Sequence, residues 1–161
     1  MNFFRTIYIL LAVLLFAACT SSDDCREETD VKMRVSFFTR TYNATTNLYS
    51  NTALSIDSLW VNGLGQDSFL YKNAKSVKSI LLPLKINSEQ SEFIVRFNNT
   101  TDTIVFFHEN NNQYFLSLEC GCIVAHTIQE AVSTKHYADS ISIINQQVIN
   151  SSDAAHIQIF N

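Results

Sequence analysis

From Val31 the chain alternates apolar and polar residues with a period of two. Val31, Met33, Val35 and Phe37 fall on one side, and Lys32, Arg34 and Ser36 on the other. Successive side chains of a strand point to opposite faces, so this spacing commits the segment to a strand with one dry face and one wet face. The pattern recurs at Phe93, Val95 and Phe97, set against Ile94 and Arg96. Further short β-rich runs occur at 56–61, 68–71, 76–84, 103–108, 114–118, 123–128, 140–149 and 155–160. Turn signals lie between them: a polar loop over 43–52, Asn62-Gly63, the stretch from Asn98 to Asp102, and Glu109 to Gln113 with three consecutive asparagines, a residue that tolerates the left-handed region. Pro83 closes its run, as suits a strand end or an edge. The one rival helix, 127–135, is too short to stand alone. The expected fold is all-β: an antiparallel β-sandwich, Ig-like or a related Greek key, with a small β-barrel as the alternative.

The first 18 residues read as a secretory leader, with Arg5 before the apolar run from Thr6 to Phe16 and the small pair Ala17-Ala18. The apolar run is shorter than the roughly 20 residues a spanning helix needs, and Thr20 to Asp24 follow at once. The exit Phe16-Ala17-Ala18-Cys19 resembles the bacterial lipobox, with Phe16 in place of the usual aliphatic residue; the resemblance implies acyl chains on Cys19. Residues 20–30 carry five acidic side chains and no periodicity, which reads as a tether. Its acidic pairs resemble the surface-export signals of Bacteroidetes-type lipoproteins. The expected organisation is a signal peptide at 1–18, a lipidated acidic tether at 19–30 and a single β domain at 31–161. The expected location is the outer membrane of a cell envelope, on its inner or its outer face.

Of 161 residues, 47% are hydrophobic and 16% charged, enough apolar material for one core in the 143 residues that follow the leader. Those residues hold 10 basic against 15 acidic side chains, which excludes the basic footprint of a nucleic-acid binder.

With Cys19 lipidated, three thiols remain: Cys25, Cys120 and Cys122. Residues two apart in an extended strand lie about 6.5 to 7 Å apart, beyond easy disulfide reach, so Cys120-Gly121-Cys122 is a poor candidate for an internal bridge unless Gly121 bends it. Cys25 has no packing reason to stand in a solvated tether, and pairing with Cys120 supplies one, Cys122 being the alternative partner. A competing reading makes the Cys-Gly-Cys motif, with His126, a thiol redox or copper-handling site. Two sulfurs make a weak site, and His108, His136 and His156 show no shared spacing, so no metal ligand and no cofactor is assigned. No Gly-x-Ser-x-Gly elbow, His-Glu-x-x-His pattern or phosphate-binding Gly loop is present in the sequence, and no catalytic residue is assigned. Asp57, Asp67, Asp102 and Asp139 each precede Ser or Thr near a strand start, which reads as turn chemistry. Trp60, Tyr71, Tyr114 and Tyr137 are candidates for a sugar-stacking platform, with the core as the other destination.

At Leu81-Leu82-Pro83-Leu84, at Ser117-Leu118-Glu119-Cys120-Gly121-Cys122, and in the closing Ile143-Ile144-Asn145 to His156-Ile157-Gln158-Ile159-Phe160, together with Asp23-Asp24-Cys25, the chain resembles an uncharacterised family of small Bacteroidetes-type lipoproteins. The resemblance implies an anchor and this class of fold, and no activity. The expected function is a non-enzymatic binding or accessory module held to a membrane by its lipid, its partner an envelope protein or glycan.

Overall fold

The computed structural model describes residues 25, 29, 31–151 and 154–161. The expected leader, the expected lipid site Cys19 and nearly all of the expected tether lie outside the described residues. Among the described residues there are eleven strands and no helix: β1 Lys32–Asn43, β2 Leu48–Ala53, β3 Leu59–Gly63, β4 Phe69–Ala74, β5 Ser79–Pro83, β6 Gln90–Phe97, β7 Thr100–Ser117, β8 Gly121–Ser133, β9 Ser140–Ile143, β10 Gln147–Val148 and β11 Ile157–Phe160. They form two sheets. One runs β2-β1-β11-β9, with β5 also paired to β1, and the other runs β10-β8-β7-β6-β3-β4. Pairing is antiparallel throughout except between β1 and β11, which run parallel from Val35↔Ile157 to Phe38↔Phe160. The first and last strands need no short turn between them, so nothing forces them antiparallel.

The core lies between the sheets. Met33, Val35 and Phe37 of β1 and Ile157 and Ile159 of β11 face Leu59, Val61, Val95, Phe97, Ile104, Phe106 and Ile128 of the other sheet. The Phe37 and Phe97 rings meet edge to face at 5.6 Å. Trp60 falls out of phase with buried Leu59 and Val61 and sits on the outer face.

Three local expectations need correction. The polar stretch 43–52 is a hairpin and not a loop: β2 pairs with β1 from Phe38↔Ala53 to Asn43↔Leu48, and Asn43 Oδ1 accepts from the amides of Thr45 and Thr46 in the turn. Every residue of β2 is exposed, so it lacks the dry face by which a strand is recognised. The asparagine run at 109–113 does not reverse the chain, because β7 continues through it with a register shift between Asn111 and Tyr114. The segment 127–135, set aside as a helix, is strand through Ser133, opposed to β7 as Ala131↔Phe106 and Ile128↔His108. The single run at 140–149 is two strands: β9 belongs to one sheet and β10 to the other, so this segment crosses between them. At the β6–β7 hairpin the expected turn is present and tighter, since Phe97 pairs with Thr100 and Asn98 has φ 53°.

Candidate functional site

The end of the long β7–β8 hairpin carries the cysteines. Ser117 pairs with Gly121, residues 118–120 make the turn, and Gly121 has φ 69°, a conformation that favours a residue without Cβ. Cys25 is disulfide-bonded to Cys120, their Cα atoms 4.7 Å apart, and Cys122 is free and exposed. The Cys-Gly-Cys motif is thus divided between a structural bridge and a strand position opposite Phe115. His126 does not join it: the ring is turned inward, 2% exposed, and is held by Asn110. Among the described residues no cluster of His, Cys, Asp and Glu has the arrangement of a metal site.

Beneath that hairpin lies a closed polar knot. The inward face of β7 carries Asp102, Ile104, Phe106, His108 and Asn110 in strict alternation. Asn110 Nδ2 donates to the carbonyls of Lys85, Ile86 and Ser88 at 3.2, 3.0 and 2.9 Å, which fixes Oδ1 as the acceptor. That oxygen accepts from Nδ1 of His108 at 2.9 Å and from Nδ1 of His126 at 2.7 Å. With Nδ1 of His108 protonated, its Nε2 accepts from the Ser91 hydroxyl at 2.9 Å, and Ser91 Oγ accepts from the Lys85 amide at 2.8 Å. Every donor then has an acceptor only if both rings are neutral. Burial, and next the charge of His108, push the His126 pKa down to about 4. Burial also lowers His108, outweighing the Asn110 hydrogen bond and the Glu89 charge that favour its cation. The two rings meet edge to face at 5.1 Å. No sequence spacing announces this pair, because its contact depends on the β7–β8 register, which shifts between Phe107 and His108.

His156 is a third buried imidazole. Its Nδ1 accepts from the Arg34 amide and its own amide donates to the Arg34 carbonyl, each at 3.0 Å, so it brackets one residue of β1. Burial, then the Arg34 charge, lowers its pKa. With Tyr114, Phe115 and Asn145 it lines a recess of about 470 Å³ beside the stapled hairpin.

At the other end of the same β7 face Asp102 is fully buried, which corrects its reading as turn chemistry. Oδ1 accepts from Thr134 Oγ1 at 2.6 Å and the His136 amide at 2.7 Å, and Oδ2 from the amides of Tyr137 and Ala138 at 2.9 Å. Burial alone would raise its pKa, but these hydrogen bonds hold it down at about 2. The carboxylate gathers the 134–138 segment onto the sheet, a structural task.

The aromatic candidates are dispersed. Tyr137 stacks on Phe97 in the core with centroids 4.6 Å apart, and the Tyr71 hydroxyl accepts from the Leu81 amide at 2.9 Å. Tyr114, on β7, lies at the recess, while Trp60 is on β3 and Tyr71 on β4. Trp60 lines an outer groove of about 300 Å³ with Phe69 and Arg96, and the Arg96 guanidinium sits 4.5 Å over its ring. A sugar would have to displace that cation to stack there.

Residues 58–161 match the model of a family of unknown function, DUF6452. The match spans β3 to β11 with Cys120 and Cys122, and leaves Cys25, β1 and β2 outside. No curated protein and no solved structure matches the chain.

Proposed function

We propose, on the premise that the chain belongs to the DUF6452 family of unknown function, that it is a lipid-anchored envelope protein whose sandwich serves as a non-enzymatic binding or accessory module. The observation that carries this reading is the Cys25–Cys120 bond. Disulfides persist in oxidising compartments outside the cytosol, which fits an exported chain. The bond also joins a residue six positions after the lipid-site Cys19 to the folded sheet, so that an acyl anchor would hold the domain and not merely a loose terminus. The same bond takes Cys120 away from Cys122 and leaves the redox and copper reading without its pair of thiols.

Export, acylation and membrane attachment are tested together. Cys19→Ala should move the protein from the membrane to the soluble fraction, and mass analysis of the wild type should find acyl chains on an N-terminal Cys19. A Cys19→Ala protein that stays with the membrane would sink the anchor. Crosslinking in intact cells followed by pulldown should then recover an envelope protein or glycan, and protease shaving reports the face on which the domain sits. If no partner is crosslinked, the binding-module reading fails.

A further inference from the structure

We infer that the tip of the β7–β8 hairpin is a membrane-contacting surface, with Leu118 and Phe115 resting at the lipid interface. This inference rests on the anchor proposed above. Cys25 stands six positions after Cys19, and even a fully extended chain over those six steps spans only about 21 Å. Through the Cys25–Cys120 bond, with its Cα separation of 4.7 Å, the hairpin turn is therefore held within about 25 Å of the acylated residue. Without the bond the leash would run on to Val31 and reach about 40 Å. That is the length of β1 itself, 12 residues at about 3.3 Å each. The bond thus makes the leash shorter than the domain and selects which end meets the bilayer.

The selected end has the surface that a bilayer takes. Leu118 is 91% exposed and Phe115 58% exposed, on the turn and the strand just before it. From Tyr114 to Ile128 the chain has one charged residue, Glu119. A hairpin projecting into water would ordinarily place charges on its tip, whereas an interfacial one presents apolar side chains with few charges to desolvate. Of the other exposed aromatics among the described residues, Phe69 packs against Trp60 on the outer face, and Tyr42 and Tyr49, with ring centroids 5.0 Å apart, stand on the β1–β2 hairpin at the far end of β1 from Lys32. These two tyrosines would face away from the membrane.

The test uses the acylated full chain in vesicles of phosphatidylethanolamine and phosphatidylglycerol with brominated acyl chains, which quench indoles at the lipid interface. Trp60→Phe removes the native indole, and Leu118→Trp or Tyr49→Trp supplies a single reporter. Residue 118 should lose most of its emission and residue 49 should keep it. Flotation and mass are measured on the same samples. An unquenched residue 118 in protein that floats with the vesicles and carries its acyl chains overturns the inference and leaves the anchor standing. Protein that lacks the acyl chains or does not float overturns the anchor and the inference with it. Adding Cys25→Ser and Cys120→Ser should restore emission at residue 118 by lengthening the leash. If that variant does not fold, the comparison of residues 118 and 49 with the bond intact still decides.

Discussion

Asp102 and Asn110 stand on the same inward face of β7, and each closes one end of the sandwich. Asp102 draws the 134–138 segment onto the sheet, Asn110 draws in the carbonyls of Lys85, Ile86 and Ser88, and apolar Ile104 and Phe106 lie between. The two are eight residues apart, about 26 Å along an extended strand. A two-layer sandwich buries its middle by apolar contact but must satisfy backbone groups where loops cross its open ends. Here one strand does so at both.

Replacing Asn110 with Ala should therefore cost about 2 to 4 kcal/mol. The truncation strips the acceptor from the Nδ1–H groups of His108 and His126 and the donor from three carbonyls, and a buried polar group left unpaired costs about 1 to 3 kcal/mol. Urea unfolding would show a lower midpoint with an unchanged slope. A shift under about 0.5 kcal/mol would mean that water replaces the amide at no cost and that the knot does not hold the 85–88 loop.

Acidification should weaken the fold in two stages. His126, lowered to about 4, is neutral in the fold and binds a proton more readily when unfolded, so its contribution is complete above the ordinary value near 6.5 and drains away as pH falls toward 4. The shift corresponds to about 3 kcal/mol, and His108 and His156, lowered in the same direction, add to the same stage. Asp102, held at about 2, contributes above its ordinary value and loses that contribution only between about pH 4 and 2, worth about 2 kcal/mol. Unfolding free energies measured from pH 7.5 to about 2 would trace both stages. His126→Gln should shrink the upper one, leaving the part that His108 and His156 contribute, and leave the lower one in place.

Asp102→Asn isolates the second stage. The amide keeps one acceptor oxygen but turns an NH₂ toward the amides of Tyr137 and Ala138 or toward the His136 amide and the Thr134 hydroxyl, so donor faces donor at a backbone amide in either orientation. The expected loss is about 2 to 4 kcal/mol at neutral pH, together with faster amide exchange at Tyr137 and Ala138. Unchanged protection at those two amides would show that the 134–138 segment is held by something else.

What could be read beforehand follows from which residues speak for themselves. Val31 to Phe37 announces its strand because the burial of Met33, Val35 and Phe37 is written in their own spacing. Asn110 does not, because a run of asparagines looks the same whether it bends the chain or, as here, reaches across it to carbonyls more than 20 residues away. Asp102 before Thr103 resembles any turn aspartate, and only the return of β8 to set Thr134 beside it makes it a buried carboxylate. His108 and His126 meet through a pairing register that three irregularities adjust, which no periodicity encodes. Cys25 was legible for the opposite reason: in a tether with no apolar pattern, a thiol has covalent pairing as its one evident use.

That bond yields the last prediction. Cys25→Ser should leave the β-sheet signature intact, because the core cluster among the described residues is built from Val31 onward. It should nonetheless lower stability by about 2 to 5 kcal/mol, since opening a loop of 95 residues returns to the unfolded chain the conformational freedom that the bridge removes. Residues 118–120 form a turn anchored within the hairpin chiefly by the Cys120 amide donating to Ser117 Oγ at 3.1 Å, so the loss of protection should concentrate there. Non-reducing peptide mapping of the wild type should yield one linked peptide containing Cys25 and Cys120, and a Cys122 that alkylates without reductant. A Cys25 that alkylates in the native protein, or a Cys25→Ser variant as stable as the wild type, would remove both the staple and the short leash that depends on it.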